Sequence, residues 1–168
     1  MNIKRSSRHA LISGNFGEAL ILYWLSKDGF ECAKVDHTGI DIIAKNPHTN
    51  ELMGISVKCR TRSRGKENDS VTIRKSDLVN IEEACQAFEC QPYFAIVVDA
   101  NFVTRVFITS KKNFFNWAPA KCNCYWRMTK ACLEGYKNDE RVISFMLDAK
   151  VNRWWETSPL RTGQARIS

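Results

Sequence analysis

The alternation of apolar and polar positions divides the chain into elements before any chemistry is considered. Residues 1–12 are basic and polar, an N-terminal arm. Ser13 stands where a helix N-cap belongs, because its hydroxyl can accept a hydrogen bond from a free N–H of the first turn. The helix it predicts runs from Asn15 to Lys27. There Phe16, Ala19, Leu20, Tyr23 and Trp24 recur at helical spacing, and Ile21, Leu22 and Leu25 form a second stripe. A helix apolar on most sides is expected to pack on two of them. Asp28-Gly29 ends it.

A period of two then takes over. Glu31–Val35 reads as a short strand. Gly39–Lys45 reads as a second, with Ile40, Ile42 and Ala44 on one face and Asp41, Ile43 and Lys45 on the other. The turn formers at 46–50 close a hairpin onto a third strand, Leu52–Arg60. Its Ile55, Val57 and Cys59 face one way; Gly54, Ser56, Lys58 and Arg60 face the other. A polar, basic loop follows from Arg60 to Asn68. Ser76 then caps a helix over Asp77–Phe88, with Leu78, Ile81, Ala84, Cys85 and Phe88 inward. Tyr93–Val98 and Phe102–Thr109 look like a central strand and its hairpin partner. Short helices are expected over Ser110–Trp117 and, capped by Thr129, over Thr129–Tyr136. Val142–Leu147 is expected as a late strand. This order gives an α/β domain with a mixed sheet over residues 13–150, followed by a basic C-terminal tail, 151–168.

Composition narrows the class. With 168 residues, 44% of them apolar, the chain can bury the core of one globular domain and is not intrinsically disordered. A net charge of +7 suits a polyanion partner, since each phosphate contact needs a cation. A solvated basic surface would look the same. The longest apolar stretch, Ala19–Leu25, is too short to span a bilayer, so no membrane association is expected and the cytoplasm is the expected location. Seven cysteines in no framework spacing fit a reducing compartment. Cys122, Cys124 and Cys132 lack the spacing and the second pair of a structural zinc site and read as free thiols.

Three polar groups sit where a core would exclude them. Glu18 shares a helical stripe with Ile21, Leu22 and Leu25. Asp41 lies between Ile40 and Ile42, and Lys58 between Val57 and Cys59. Buried charge is costly unless paired or used. An Asp41–Lys58 ion pair at a sheet edge, solvent exposure, and a functional site all satisfy this pattern.

The first helix carries Gly14-Asn15-Phe16-Gly17-Glu18-Ala19-Leu20. Gly39-Ile40-Asp41-Ile42-Ile43-Ala44 and Gly54-Ile55-Ser56-Val57-Lys58-Cys59-Arg60 follow it. In order and spacing this resembles the core of PD-(D/E)xK, restriction-endonuclease-like nucleases, most of all the Holliday-junction-resolvase-like branch. The resemblance covers residues 13–60 in detail and residues 76–109 in element order alone. It implies a metal-dependent DNA endonuclease acting with Mg²⁺ or Mn²⁺ on branched or damaged DNA. Asp41 would be the main metal ligand, joined by Glu18 and the carbonyl of Val57, and Lys58 would orient or deprotonate the attacking water and stabilise the phosphate charge. The resemblance also allows a homodimer, although no strip of sequence declares a dimer face.

One position departs from the pattern. Two residues before the lysine the family carries an acid; here stands Ser56, a poor ligand for a hard cation that can still hold a metal-bound water. Glu51, at the far end of the strand, is a weak substitute. The departure keeps a second reading open: a catalytically impaired nuclease-fold module that binds nucleic acid or a partner protein. Next to the site, Arg60, Arg62, Arg64 and Lys66 occupy alternate positions, and Arg74 and Lys75 precede the next helix. These cations are placed to grip phosphates flanking a scissile bond. His37 reads as a surface histidine, and Trp117, Trp126, Trp154 and Trp155 as core or interface aromatics.

Overall fold

The computed structural model describes residues 5–119 and 122–149. In chain order the elements are α1 (His9–Lys27), β1 (Glu31–His37), β2 (Ile40–Lys45), β3 (Leu52–Arg62), β4 (Val71–Ile73), α2 (Lys75–Ala87), β5 (Gln91–Ala100), β6 (Val103–Ser110), α3 (Lys111–Trp117), β7 (Cys124–Trp126), α4 (Lys130–Asn138) and β8 (Val142–Asp148). Six strands form one sheet in the order β1-β2-β3-β5-β6-β8, and β4 pairs with β7 in a small second ladder. Only β3 and β5 run parallel; the other neighbours are antiparallel. A parallel pair needs a crossover, and the segment holding β4 and α2 supplies it. The expected mixed α/β sheet is therefore observed. The basic tail lies outside the described residues.

Two apolar clusters sit on opposite faces of the sheet. On one, Ile21 and Leu25 of α1 pack on Ile42, Met53, Ile55, Ala95 and Val97. Each fully buried aliphatic side chain there contributes about 2 kcal/mol. On the other, Leu78, Ile81 and Cys85 of α2 join Phe94, Ile96, Phe107, Trp126 and Tyr136. Trp126 is wholly buried and stacks between Phe114 and Tyr136, so it is a core aromatic as expected. Trp154 and Trp155 lie outside the described residues.

Several local expectations are corrected. Helix α1 begins at His9, so Ser13 is not its cap; the Ser13 hydroxyl donates to the carbonyl of Ala10 inside the helix. The first turns carry no inward apolar stripe, since Leu11 and Ile12 point to solvent. The helix also packs on one side only, leaving Phe16 and Tyr23 exposed. Helix α2 begins at Lys75, one residue before Ser76, and is capped from within: the carboxylate of Asp77 accepts the N–H of Arg74 at 2.9 Å. Thr129 caps α4 as expected, accepting the N–H of Cys132. Strand β3 extends through Arg62, so Arg60 and Arg62 belong to the sheet and the loop is residues 63–70. Neither β4 nor β7 was foreseen.

Close packing positions the elements that carry the candidate site. A Cβ on Gly17 would stand 2.7 Å from Cβ of Cys59, so glycine lets α1 lie tightly on β3 and brings the next residue, Glu18, to the strand edge. Gly39, at φ +103°, abuts the backbone carbonyl of Asn80 so closely that no side chain fits. It fixes the start of β2 against α2.

Candidate active site

Strand β2 parts from β3 at the candidate site. Their ladder ends at Ile42↔Ile55. Beyond that pair the N–H of Val57 donates instead to Oδ2 of Asp41, at 2.6 Å. A side-chain carboxylate thus replaces the next rung of backbone pairing. The alternation of β2 breaks at the same point. Ile42 and Ala44 pack on the α1 side, but Ile40 packs with the α2-side cluster, which corrects the expectation that all three share a face.

The expected residues gather around this parting. Burial raises the Asp41 carboxyl above its ordinary value. The Val57 N–H opposes that rise, the charge of Glu18 adds to it, and Lys58 and Lys34 offset part of it. Asp41 therefore lies within electrostatic reach of both Glu18 and Lys58. Glu18, half-buried on α1, is paired with Lys34 of β1 at 2.7 Å. Lys58 does not bond to Asp41; its Nζ donates to Oδ1 of Asp77 at 3.1 Å. Burial alone would raise the Asp77 carboxyl, but the Arg74 N–H and the Lys58 ammonium outweigh it and hold it below the usual range.

Ser56 is 2% exposed, so it lies beneath the surface of the site rather than on it. The acid that reaches Lys58 comes from the first turn of α2. Glu51 accepts the hydroxyl of Tyr93 at 3.0 Å and takes no part here.

Sequence reasoning missed Asp77, Lys34 and Arg5. Asp77 carried one usable signal, an acid in the first turn of an expected helix, where a carboxylate favours the free N–H groups. Lys34 and Arg5 carried none.

The basic residues divide. Arg62 donates to the carbonyls of Asp69 and Ser70, at 3.2 and 2.7 Å, and so closes the 63–70 loop on itself. Arg60 is exposed, with one bond to the carbonyl of Cys59. Arg64, Lys66, Arg74 and Lys75 are exposed. Arg5 joins them from the chain start, donating to the carbonyl of Thr61 and to the Ser63 hydroxyl. His37 is exposed at the end of β1, edge-on to Phe88, as a surface histidine should be.

Among the described residues no group of three or more His, Cys, Asp or Glu is gathered to hold a metal, and all seven cysteines are free. The donors at the β2–β3 parting number two carboxylates and a backbone carbonyl. Mg²⁺ commonly binds through one or two carboxylates, keeping waters and taking substrate phosphates for the rest. The repulsion between Glu18 and Asp41 is of the kind a cation relieves, so these donors fit such an ion, with Lys34 its competitor for Glu18.

The sheet and its flanking helices form a restriction-endonuclease-like fold. Among solved structures it is similar to Archaeoglobus fulgidus Hjc, a Holliday junction resolvase from an archaeal hyperthermophile. The two share a TM-score of 0.50 and 16% identity over 71% of this chain and 85% of that one. No family model and no curated protein sequence matches the chain. No helix among the described residues is long and apolar enough to cross a membrane.

Proposed function

We propose that this protein is a DNA endonuclease that hydrolyses phosphodiester bonds with Mg²⁺ or Mn²⁺, in a cytoplasmic setting. The observation that supports the reading is the Asp41 carboxylate taking the Val57 N–H where β2 leaves β3, with the charges of Glu18 and Lys58 both bearing on it, in a fold of the restriction-endonuclease-like class. Asp41, Glu18 and the carbonyl of Val57 would hold the ion. When bound, it supplies an activated water and charge neutralisation at the phosphate. Lys58, held by Asp77 within electrostatic reach of Asp41, would stabilise the negative charge that develops on the phosphoryl oxygens. Asp77 anchors the end of the lysine side chain. Arg60, Arg64, Lys66, Arg74 and Lys75 bind flanking phosphates, and Arg62 holds the loop in shape for them. Residues 13–150 would act as one nuclease domain, alone or as a homodimer.

The buried Ser56 supports a second reading, a nuclease-fold module that binds DNA without cutting it. Incubation of purified protein with linear duplex, single-stranded and four-way-junction DNA, with each metal in turn, decides between them. Cleavage that disappears in Asp41→Ala and Lys58→Ala is the expected result. Salt-dependent binding with no cleavage of any substrate selects the binding module. Cleavage by both variants at the parent's rate rejects the site.

A further inference from the structure

A second concave site lies on the α2 face of the sheet, two strands beyond the candidate active site. It is a cavity of about 650 Å³ between β6, β8 and α4, within the range of small-ligand pockets. Phe107, Leu133 and Met146 give it an apolar lining, and Arg105, Lys130 and Lys137 give it cations. Among the described residues none of these three cations is in a salt bridge, not even with Glu134 of the same wall. An apolar floor under a rim of three cations and one carboxylate, net positive, suits a ligand with a flat, apolar body and a negative group, which is the chemistry of a nucleotide.

The sheet register ties this pocket to the DNA-facing loop. Arg60 of β3 stands beside Val98, Val98 beside Arg105, and Arg105 beside Met146. Two strand spacings separate Arg60 from Arg105, roughly 10 Å, or about three nucleotide steps along one strand. Asn68, from the loop that Arg62 closes, forms part of the pocket wall. We infer that the pocket receives an unpaired nucleotide from DNA whose duplex part lies on the 63–70 loop, with its base over Phe107 and Met146 and its phosphate toward Arg105, Lys130 and Lys137. This rests on the DNA reading above and names the feature of the DNA that is recognised.

Fluorescence anisotropy without divalent metal tests the inference apart from cleavage. The probes are a short blunt duplex and the same duplex carrying a single-stranded thymidine tail of about four nucleotides. The parent is expected to bind the tailed duplex on the order of 10-fold more tightly. Lys130→Glu combined with Lys137→Glu should abolish that preference. Both lysines are exposed, so the fold should survive. Met146→Ser, which keeps every charge, should lower the preference while leaving blunt-duplex affinity alone. Equal affinity of the parent for both probes overturns the pocket and leaves the duplex-binding loop standing. So does a preference that persists in both variants. Failure to bind either probe rejects the nucleic-acid reading and the pocket with it.

Discussion

Two lysines on the same side of the sheet are each held by an acid of α2, yet their surroundings differ. Lys58 reaches Asp77 in the first turn of the helix, and Lys111 reaches Glu82 one turn and more further on. The Lys111 side chain is 9% exposed and satisfied on several sides: the Glu82 carboxylate, the carbonyl of Leu78 and the ring face of Phe115. The Lys58 side chain is 19% exposed and has Asp77 as its bonded partner, with Asp41 near enough to feel its charge. A lysine enclosed in this way is cemented into the core, while one held by a single acid beside a second keeps N–H groups free for a ligand. Burial of the charge is common to both; what distinguishes them is how much donor capacity remains.

Substitutions can break that contrast. The largest effect is expected on cleavage. Lys58→Ala should lower the rate about 100-fold or more, the scale of losing a positioned general acid–base group, whereas Lys111→Ala should leave the rate per folded molecule within a few-fold of the parent. An equal loss in both, measured as initial rates on a fixed amount of soluble protein, would show that the two lysines are not different in kind. The second effect is on stability and runs the other way. Lys111→Ala should cost about 2 kcal/mol in a urea titration. That is less than the roughly 3–5 kcal/mol of a broken buried pair, because Glu82 is 67% exposed and rehydrates.

The smallest effect is expected from Asp77→Asn. It removes the carboxylate from Lys58 and from the cap of α2, at a cost of about 1 kcal/mol. Asp77 is held below its ordinary value in the folded state. The stability it contributes is therefore complete above the unfolded carboxylate value and fades as pH falls through the lower folded value. The parent should thus lose stability more steeply than Asp77→Asn on acidification below about pH 4. Parallel slopes would remove Asp77 from the pairing.

The halves of the chain were unequally legible. The strands from Glu31 to Arg62 are apolar-rich runs of strand length, and the turn formers at 46–50 punctuate them. Asp41 and Lys58 stood out there because each interrupts an apolar run. Their partners did not, since Asp77 comes from another element and Lys34 from a strand with mostly exposed residues. Pairing between elements is a tertiary fact that no local pattern encodes. For the same reason β4 and β7 were invisible: each is three residues long, and they meet only across α2, β5, β6 and α3. The break in β2 could not be read either, because a carboxylate replacing a backbone rung leaves the sequence alternation intact.

The parallel pairing of β3 with β5 bears on how the site comes into being. Hairpins β1–β2 and β2–β3 are local and can close as soon as they are made, which sets Asp41 early. Lys58 sits midway along a ladder that runs from Met53↔Gln91 to Arg62↔Ala100, and its acid partner lies on the crossover between those strands. Non-local parallel pairing is the slow step of such a fold. A nascent chain that has emerged only through β3 presents an unpaired strand edge, a state open to mispairing with another chain. Synthesis of β5 therefore marks the moment at which the edge of β3 is shielded and Lys58 is fixed beside the helix that carries Asp77.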